Sequence, residues 1–363
     1  MENEIKRTNR IGIGSFSFIK GIAILVIVFG HIAREFDVNQ LTWFRPLFVV
    51  LEFFKTPFIP VFFIISGYGF KMNSSPKILK RTIKTLIIPY IFVMLASCCM
   101  YPLITYIQTG NISLAIRSGI IWLFSFLLGL PKPGKVFFHH TFASCSSAWF
   151  LLALFWGQNI LNWILKRKSG LRKQSIYVVG CGLLGYVLCV CDLTYFCIPQ
   201  GMIAASYLYV GYLLKKYRLL EKKVNPPYVY VLWGIAAMIY AKYGYFDLCY
   251  GEFFCFIIDY VGVCILALLL IKVGIYIGNF NNLFLNLIKR IGLYSYWIIC
   301  IHSVEQKCLP WKKFAVLTHS CPNLGFLVSL LIKALIIFSS CLAIKRVEKW
   351  KYGKTKKLYS KIG

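Results

Sequence analysis

Long apolar runs alternate with short basic clusters along the whole chain. Each run is roughly 20 residues long, enough for a helix to cross a hydrocarbon core about 30 Å thick. The predicted spans are Phe18 to about Glu35, Pro46 to Phe70, Thr85 to Ile107, Ala148 to Leu165, Ile176 to Cys191, Phe196 to Leu214, Tyr228 to Lys242, Phe253 to Lys272, Gly292 to Cys308 and Leu324 to Ile344. The fold class is therefore an all-α, polytopic integral membrane protein with about ten transmembrane helices. No long linker, soluble domain or repeat interrupts it, so residues 1–363 form a single membrane-embedded domain.

One apolar segment, Leu114 to Leu130, does not fit simply. Arg117 interrupts it, and Gly119 and Gly129 loosen it. If it crossed, the basic cluster Lys166, Arg167, Lys168, Arg172 and Lys173 would lie outside and every later cluster would change side. If it re-enters or lies in the interface, that cluster falls inside, together with Lys215, Lys216, Arg218, Lys222, Lys223, Lys289, Arg290 and the tail 345–363. Cationic loops collect on the cytoplasmic side, so charge bias favours a non-crossing segment. Both termini are then cytoplasmic, 1–17 with Lys6, Arg7 and Arg10 included, and the protein is integral to the inner, cytoplasmic membrane. The basic N-terminus followed by an apolar helix without a small-residue cleavage site reads as a retained signal anchor. Cys145, before Trp149, is expected to face an impermeant thiol reagent from outside.

Composition agrees with the pattern. The 363 residues are 59% hydrophobic and 17% aromatic, and mean hydropathy is +0.69, far outside the range of soluble domains. A net charge of +29 would suggest nucleic acid in a soluble protein. Here the Lys and Arg residues fall mainly in short clusters between apolar segments, so membrane topology accounts for most of it, with the lipid bilayer as partner and no nucleic acid. The 14 cysteines are scattered through apolar runs without a C-x-x-C pair, as small buried hydrophobes rather than a metal site. Cys308 and Cys321 flank one external loop and are candidates to pair.

The first span carries the most suggestive chemistry. Lys20 and His31 stand eleven residues apart, a step of about 1,100° that returns to the same face some 16 Å further along the helix. A cation at one interface thus stands in line with an ionisable group near the midplane, where such groups are expensive and functional by default. An interhelical hydrogen bond for His31 and a positive-inside anchor for Lys20 are the structural alternative. His302 sits about ten residues into another outward helix, at similar depth. Arg34 and Glu35 near the outer end of the first span, with Glu52, Asp259 and Glu305, complete the ionisable set at membrane depth, and Glu52 and Asp259 are each candidates for a salt bridge within the bundle. His139, His140 and His319 fall in external loops. No nucleotide-binding glycine loop, H-E-x-x-H or nucleophile elbow is present, and Ser66 in Ser66-Gly67-Tyr68 follows no hydrolase pattern.

These residues carry a resemblance. Lys20-Gly-Ile-Ala-Ile-Leu-Val-Ile-Val-Phe-Gly-His31 resembles the first-helix signature of the acyltransferase family 3 membrane proteins, a basic residue and a histidine with ten residues between them. In the same order follow Pro60-Val-Phe-Phe-Ile-Ile-Ser-Gly-Tyr68, Arg81-Thr-x-x-x-Leu-x-x-Pro-Tyr90, Trp149-Phe-Leu-x-Ala-Leu154, and Ile291-Gly-x-Tyr-Ser-Tyr leading to His302. The chain departs from the family at Ser17, where an acidic residue is usual, and at Lys20, where arginine is common; lysine keeps the charge but not the fork that grips phosphate.

The resemblance implies transfer of an acyl group, usually acetyl, from cytoplasmic acyl-CoA to a hydroxyl of an envelope polysaccharide, lipid-linked sugar or small acceptor. Acetyl-CoA would be a donor substrate rather than a permanently held cofactor, and no metal is implied. His31 would be the base, Lys20 its catalytic partner and a coenzyme A ligand, with Arg81, Lys84 and Arg290 as further phosphate ligands. Ser66, Tyr68, Trp149 and His302 are substrate or structural candidates. A transporter or flippase for a lipid-linked saccharide, with His31, His302 and Asp259 along its pathway, is the alternative from another class, and a degenerate scaffold or sensor a third. The sequence does not name the acceptor or the oligomeric state.

Overall fold

A computed structural model describes residues 13–37, 39–137, 139–167, 169–221 and 227–359. Lys6, Arg7, Arg10, Lys168, Lys222, Lys223 and the last four residues lie outside them. Its helices are α1 (Ser17–Ala33), α2 (Arg45–Tyr68), α3 (Ser75–Thr82), α4 (Ile88–Thr109), α5 (Ile112–Leu127), α6 (Trp149–Lys166), α7 (Leu171–Val190), α8 (Ile198–Lys216), α9 (Pro227–Tyr243), α10 (Phe256–Gly278), α11 (Leu283–Cys308), α12 (Trp311–Leu317) and α13 (Pro322–Tyr359). Two short antiparallel hairpins, β1 (Val136–Phe137) with β2 (His140–Thr141) and β3 (Phe246–Asp247) with β4 (Glu252–Phe253), lie in connections. Among the described residues nine helices are long and apolar enough to cross a membrane. The predicted span absent from these nine, Tyr228 to Lys242, corresponds to α9, which has 17 residues.

Several helices outrun their apolar segments, because a nucleated helix continues into polar flanks wherever its backbone can keep bonding. The third predicted span starts ten residues early: α3 opens with Pro76 in its first turn and passes through a π turn (Ile83–Ile87) into α4. That continuation carries the basic stretch Lys77 to Lys84 on a rigid element. Likewise α11 begins at Leu283, where the Asn282 side chain accepts a bond from the Leu285 amide, and so includes Lys289 and Arg290.

The α5 segment does not cross. At the end of α4, Gln108 accepts a hydrogen bond from Lys313 of α12, which follows the end of α11. Just before α6, Ser146 and Ser147 donate to Gln306, two residues before that same end of α11. The chain therefore enters and leaves the 112–145 stretch on one side of the bundle. At the other end of α6, Lys166 donates to Ser75 at the start of α3.

Cys145 is fully buried, contrary to its expected exposure, because its amide bonds the Leu130 carbonyl and packs it beneath the 128–131 turn. Cys308 and Cys321 are both free: Cys308 is buried at the end of α11, while Cys321 is exposed beyond α12. Cys321 is therefore the better reporter of sidedness. In a variant retaining only that cysteine, an impermeant maleimide should label intact cells, whereas one retaining only Cys145 should stay unlabelled until denatured. Labelling of Cys321 only after permeabilisation would invert the topology.

Two glycine-mediated contacts set the frame of the bundle. A Cβ on Gly292 would lie 1.7 Å from the Ser17 carbonyl oxygen, and one on Gly21 2.2 Å from that of Ile288. The backbones of α1 and α11 thus touch, which small residues permit. On the other flank Gly67 of α2 abuts the Leu208 carbonyl and Gly211 of α8 the Ile64 carbonyl, each at 1.9 Å from where a Cβ would be. Gly292→Val should push α11 away from α1 and cost at least the ~1–3 kcal/mol of a typical overpacking change. A reduced monodisperse yield and lower thermal midpoint in detergent would show this; an unchanged midpoint would refute it.

Candidate active site

Between α1, α2, α6, α11 and the π turn lies a cavity of about 470 Å³, of the size that holds a small ligand. Lys20, Ile24, Ile27 and His31 of α1 line one wall, confirming that residues eleven apart share a face. Ser66 comes from α2, Trp149 and Gln158 from α6, and Tyr296 from α11.

At the Lys20 end the polar groups are connected. Arg81 Nη2 donates to Gln158 Oε1 (3.2 Å), and Gln158 Nε2 donates to Ser66 Oγ (3.1 Å). The Arg81 guanidinium also lies 5.8 Å from the centre of the Phe70 ring. Tyr296 donates its hydroxyl proton to the Thr85 carbonyl within the π turn. Such turns release a carbonyl from the regular helical ladder and recur at functional sites. Two cations, Lys20 and Arg81, thus line this cavity. Its interior is aliphatic and aromatic, through Ile24, Ile27, Ile59, Ile65, Phe62 and Leu154.

At the other end His31 is shared with a second, smaller cavity of about 70 Å³, lined also by Arg34, Ser144, Asp247, Tyr250 and Lys307. Ile27, Ile59, Ser147 and Trp149 line both. Gln306 Nε2 lies 3.1 Å from His31 Nδ1, while Gln306 Oε1 accepts from Ser146 Oγ (3.1 Å) and Ser147 Oγ (2.9 Å). In that arrangement a neutral His31 carries its proton on Nε2. Turning the amide over keeps all three bonds: the serines accept from the amide nitrogen, Nδ1–H donates to the amide oxygen, and Nε2 then holds the lone pair.

His302 lines neither cavity. Its ring centre is 5.2 Å from that of His31, but its Nδ1 lies 3.0 Å from Glu305 Oε1, which also accepts a hydrogen bond from Lys333. All three side chains are buried.

The remaining sequence candidates separate clearly. Lys20, Arg81, Ser66 and Trp149 meet His31 around one cavity. Lys84 and Arg290 are exposed and away from it: Arg81 and Thr85, four apart, take the cavity face of their helix, as Ser295, Tyr296 and Ile299 take that of α11. Tyr68 is buried outside the cavity, its ring edge-on to Phe16 at 5.0 Å. Glu52 pairs with Arg34 at 3.4 Å. Asp259 is buried and accepts from the amides of Tyr245 (3.0 Å), Phe254 (2.8 Å) and Cys255 (2.8 Å), so it fastens the β3–β4 connection to α10. Gln158, Gln306, Ser147 and Lys333 escaped the sequence reading. Gln158, Gln306 and Ser147 are uncharged, and Lys333 stands alone in the last apolar run.

The chain matches a family model described as an acyltransferase domain over residues 13–345. No curated protein and no solved structure matches it. With nearly its whole length covered by that match and its helices long enough to cross a bilayer, the chain belongs to the acyltransferase family 3 membrane proteins.

Proposed function

We propose that this membrane acyltransferase moves an acetyl or similar acyl group from cytoplasmic acyl-CoA to a hydroxyl of an envelope polysaccharide, lipid-linked sugar or related acceptor. One observation carries the reading: His31 is the shared wall of two cavities, one lined also by Lys20 and Arg81, the other by Arg34, Asp247 and Lys307. The Lys20 end is then cytoplasmic, and both termini lie on that side of the cytoplasmic membrane.

In this reading the coenzyme A phosphates meet Lys20 and Arg81, and the pantetheine arm and thioester lie along the aliphatic wall, away from hydrolytic water. The acceptor hydroxyl approaches from the far side. His31 Nε2 takes its proton as the oxygen attacks the thioester carbonyl, and Nδ1–H is held by the turned Gln306 amide. The Ser147 hydroxyl, then accepting from that amide, keeps its own proton to donate to the oxyanion. Collapse of the intermediate breaks the C–S bond, the imidazolium returns the proton to the thiolate, and an ester and free coenzyme A leave.

The phosphate assignments are separable by mutation. Arg81→Ala should raise KM for acyl-CoA about tenfold, with kcat changed less, whereas Lys84→Ala and Arg290→Ala should leave KM near that of the unmodified protein. Equal effects at all three positions would mean that diffuse surface charge, rather than the cavity mouth, binds the donor.

A saccharide translocator would also use connected cavities, but two of the three residues expected along its pathway, His302 and Asp259, line neither one. The deciding experiment is thiol release from acetyl-CoA by purified protein, with and without a de-O-acetylated envelope glycan, and O-acetyl signals read by NMR on the glycan. Acceptor-dependent release with new O-acetyl groups supports transfer; no release with any acceptor overturns it.

A further inference from the structure

A third cavity, of about 720 Å³, opens on the end of the bundle that holds His31. It lies between α4, α5, the end of α11 and α12. Tyr101 and Trp122 form one wall, their ring centres 5.0 Å apart, and the buried Trp311 contributes to another. Lys307, Lys312 and Lys313 line it against a single carboxylate, Glu35. Gln306 and Lys307 line both this cleft and the small cavity beside His31. The cleft therefore ends one side chain away from the candidate base.

Two features of this cleft call for a ligand. Aromatic faces beside amide and ammonium groups suit a pyranose ring, whose C–H face is apolar and whose edge is polar. The lysines also run against topology: basic residues collect on the cytoplasmic side, yet three stand together at the opposite end under the orientation proposed above. Anchoring in the membrane does not explain them there, whereas attraction of a negative ligand does.

We infer that this cleft is the acceptor site and that it takes a saccharide bearing a negative charge, either a carboxylate on the sugar or a phosphate joined to it. The anionic group sits among Lys307, Lys312 and Lys313, the ring lies against Tyr101 and Trp122, and a hydroxyl points past Gln306 toward His31. This assignment rests on the acyl-transfer reading for its purpose, but the binding it requires can be measured separately.

The test is calorimetric titration of the full-length protein in nanodiscs with three probes: a neutral methyl hexopyranoside, a methyl hexuronoside and a hexose 1-phosphate. At least one charged probe should bind about tenfold more tightly than the neutral one, and the preference should shrink as salt is raised. The hexuronoside and phosphate arms tell the two sources of charge apart. Lys312 and Lys313 are exposed, so the double variant Lys312→Gln/Lys313→Gln should fold normally and lose most of the preference while keeping the neutral probe's affinity. Equal affinity for neutral and charged probes, an unchanged preference in the double variant, or no binding of any probe overturns the assignment. Charged-probe binding in a protein that releases no thiol from acetyl-CoA would instead overturn the transfer reading and leave the cleft standing.

Discussion

Alanine at position 31 should abolish acceptor acylation while leaving the protein inserted and monodisperse. His31 is only half-buried, on a cavity wall, so the change enlarges a space that is already open rather than hollowing a packed core. What it removes is an imidazole that borders both the larger cavity, proposed above to hold the donor, and the smaller one on the proposed acceptor side. Loss of a positioned general base costs about 10²- to 10⁴-fold in rate, so transfer in membranes should fall to background. Lys20→Ala should behave differently, because an ammonium at the cavity mouth acts on binding: KM for acyl-CoA rises while turnover at saturation is largely retained. Lys20→Arg should restore or improve KM, since a guanidinium adds bidentate phosphate contacts. The measurement is acceptor-dependent thiol release at matched protein abundance, read as a function of donor concentration. Acylation at the unmodified rate in His31→Ala would remove the residue from the mechanism.

How much of this was legible before the structure follows from what hydrophobicity can and cannot report. The ten apolar segments are helices, and the sign of the loops favours a non-crossing course for Leu114 to Leu130, whose two flanks both meet the end of α11 and α12. The shared face of Lys20 and His31 followed from helical geometry alone. Helix ends were misplaced wherever a helix runs on into basic sequence, as at Ser75 and Leu283, because nothing in the polarity pattern marks the last hydrogen bond. The same limit applied to side-chain partners: Arg81 and Lys84 are equivalent as charges, and only the π turn and the face taken by Thr85 send one to the cavity. Gln306 and Gln158 are neutral, so the charge pattern does not mark them, yet each holds a candidate functional side chain at about 3 Å. Lys333 had a signal that went unread, a lone cation in the middle of an apolar run, the pattern that at membrane depth implies a buried counterion.

That counterion provides the second large effect. Lys333 is 1% exposed and bonds Glu305, which is 8% exposed and also holds His302 Nδ1 at 3.0 Å; the Lys333 ammonium lies 4.7 Å from the centre of the Trp311 ring. Removing one member of such a pair leaves a charge buried without compensation, at a cost of about 3–5 kcal/mol. Lys333→Met should therefore lower the thermal midpoint in detergent by many degrees, and Glu305→Leu should do the same from the other side. The double variant Lys333→Met/Glu305→Leu strands no charge and should be markedly more stable than either single variant, since apolar replacement of a whole buried pair is often neutral or better. The double-mutant cycle isolates the coupling from the loss of packing that each truncation also causes. Because Glu305 is bonded to His302, and the His302 ring packs on that of His31, the double variant also separates stability from activity. Regained stability with regained turnover would make the pair a structural clamp. Regained stability with turnover still depressed would mean that the Glu305–His302 contact positions His31. Additive losses in the cycle would show that Lys333 and Glu305 are not coupled at all.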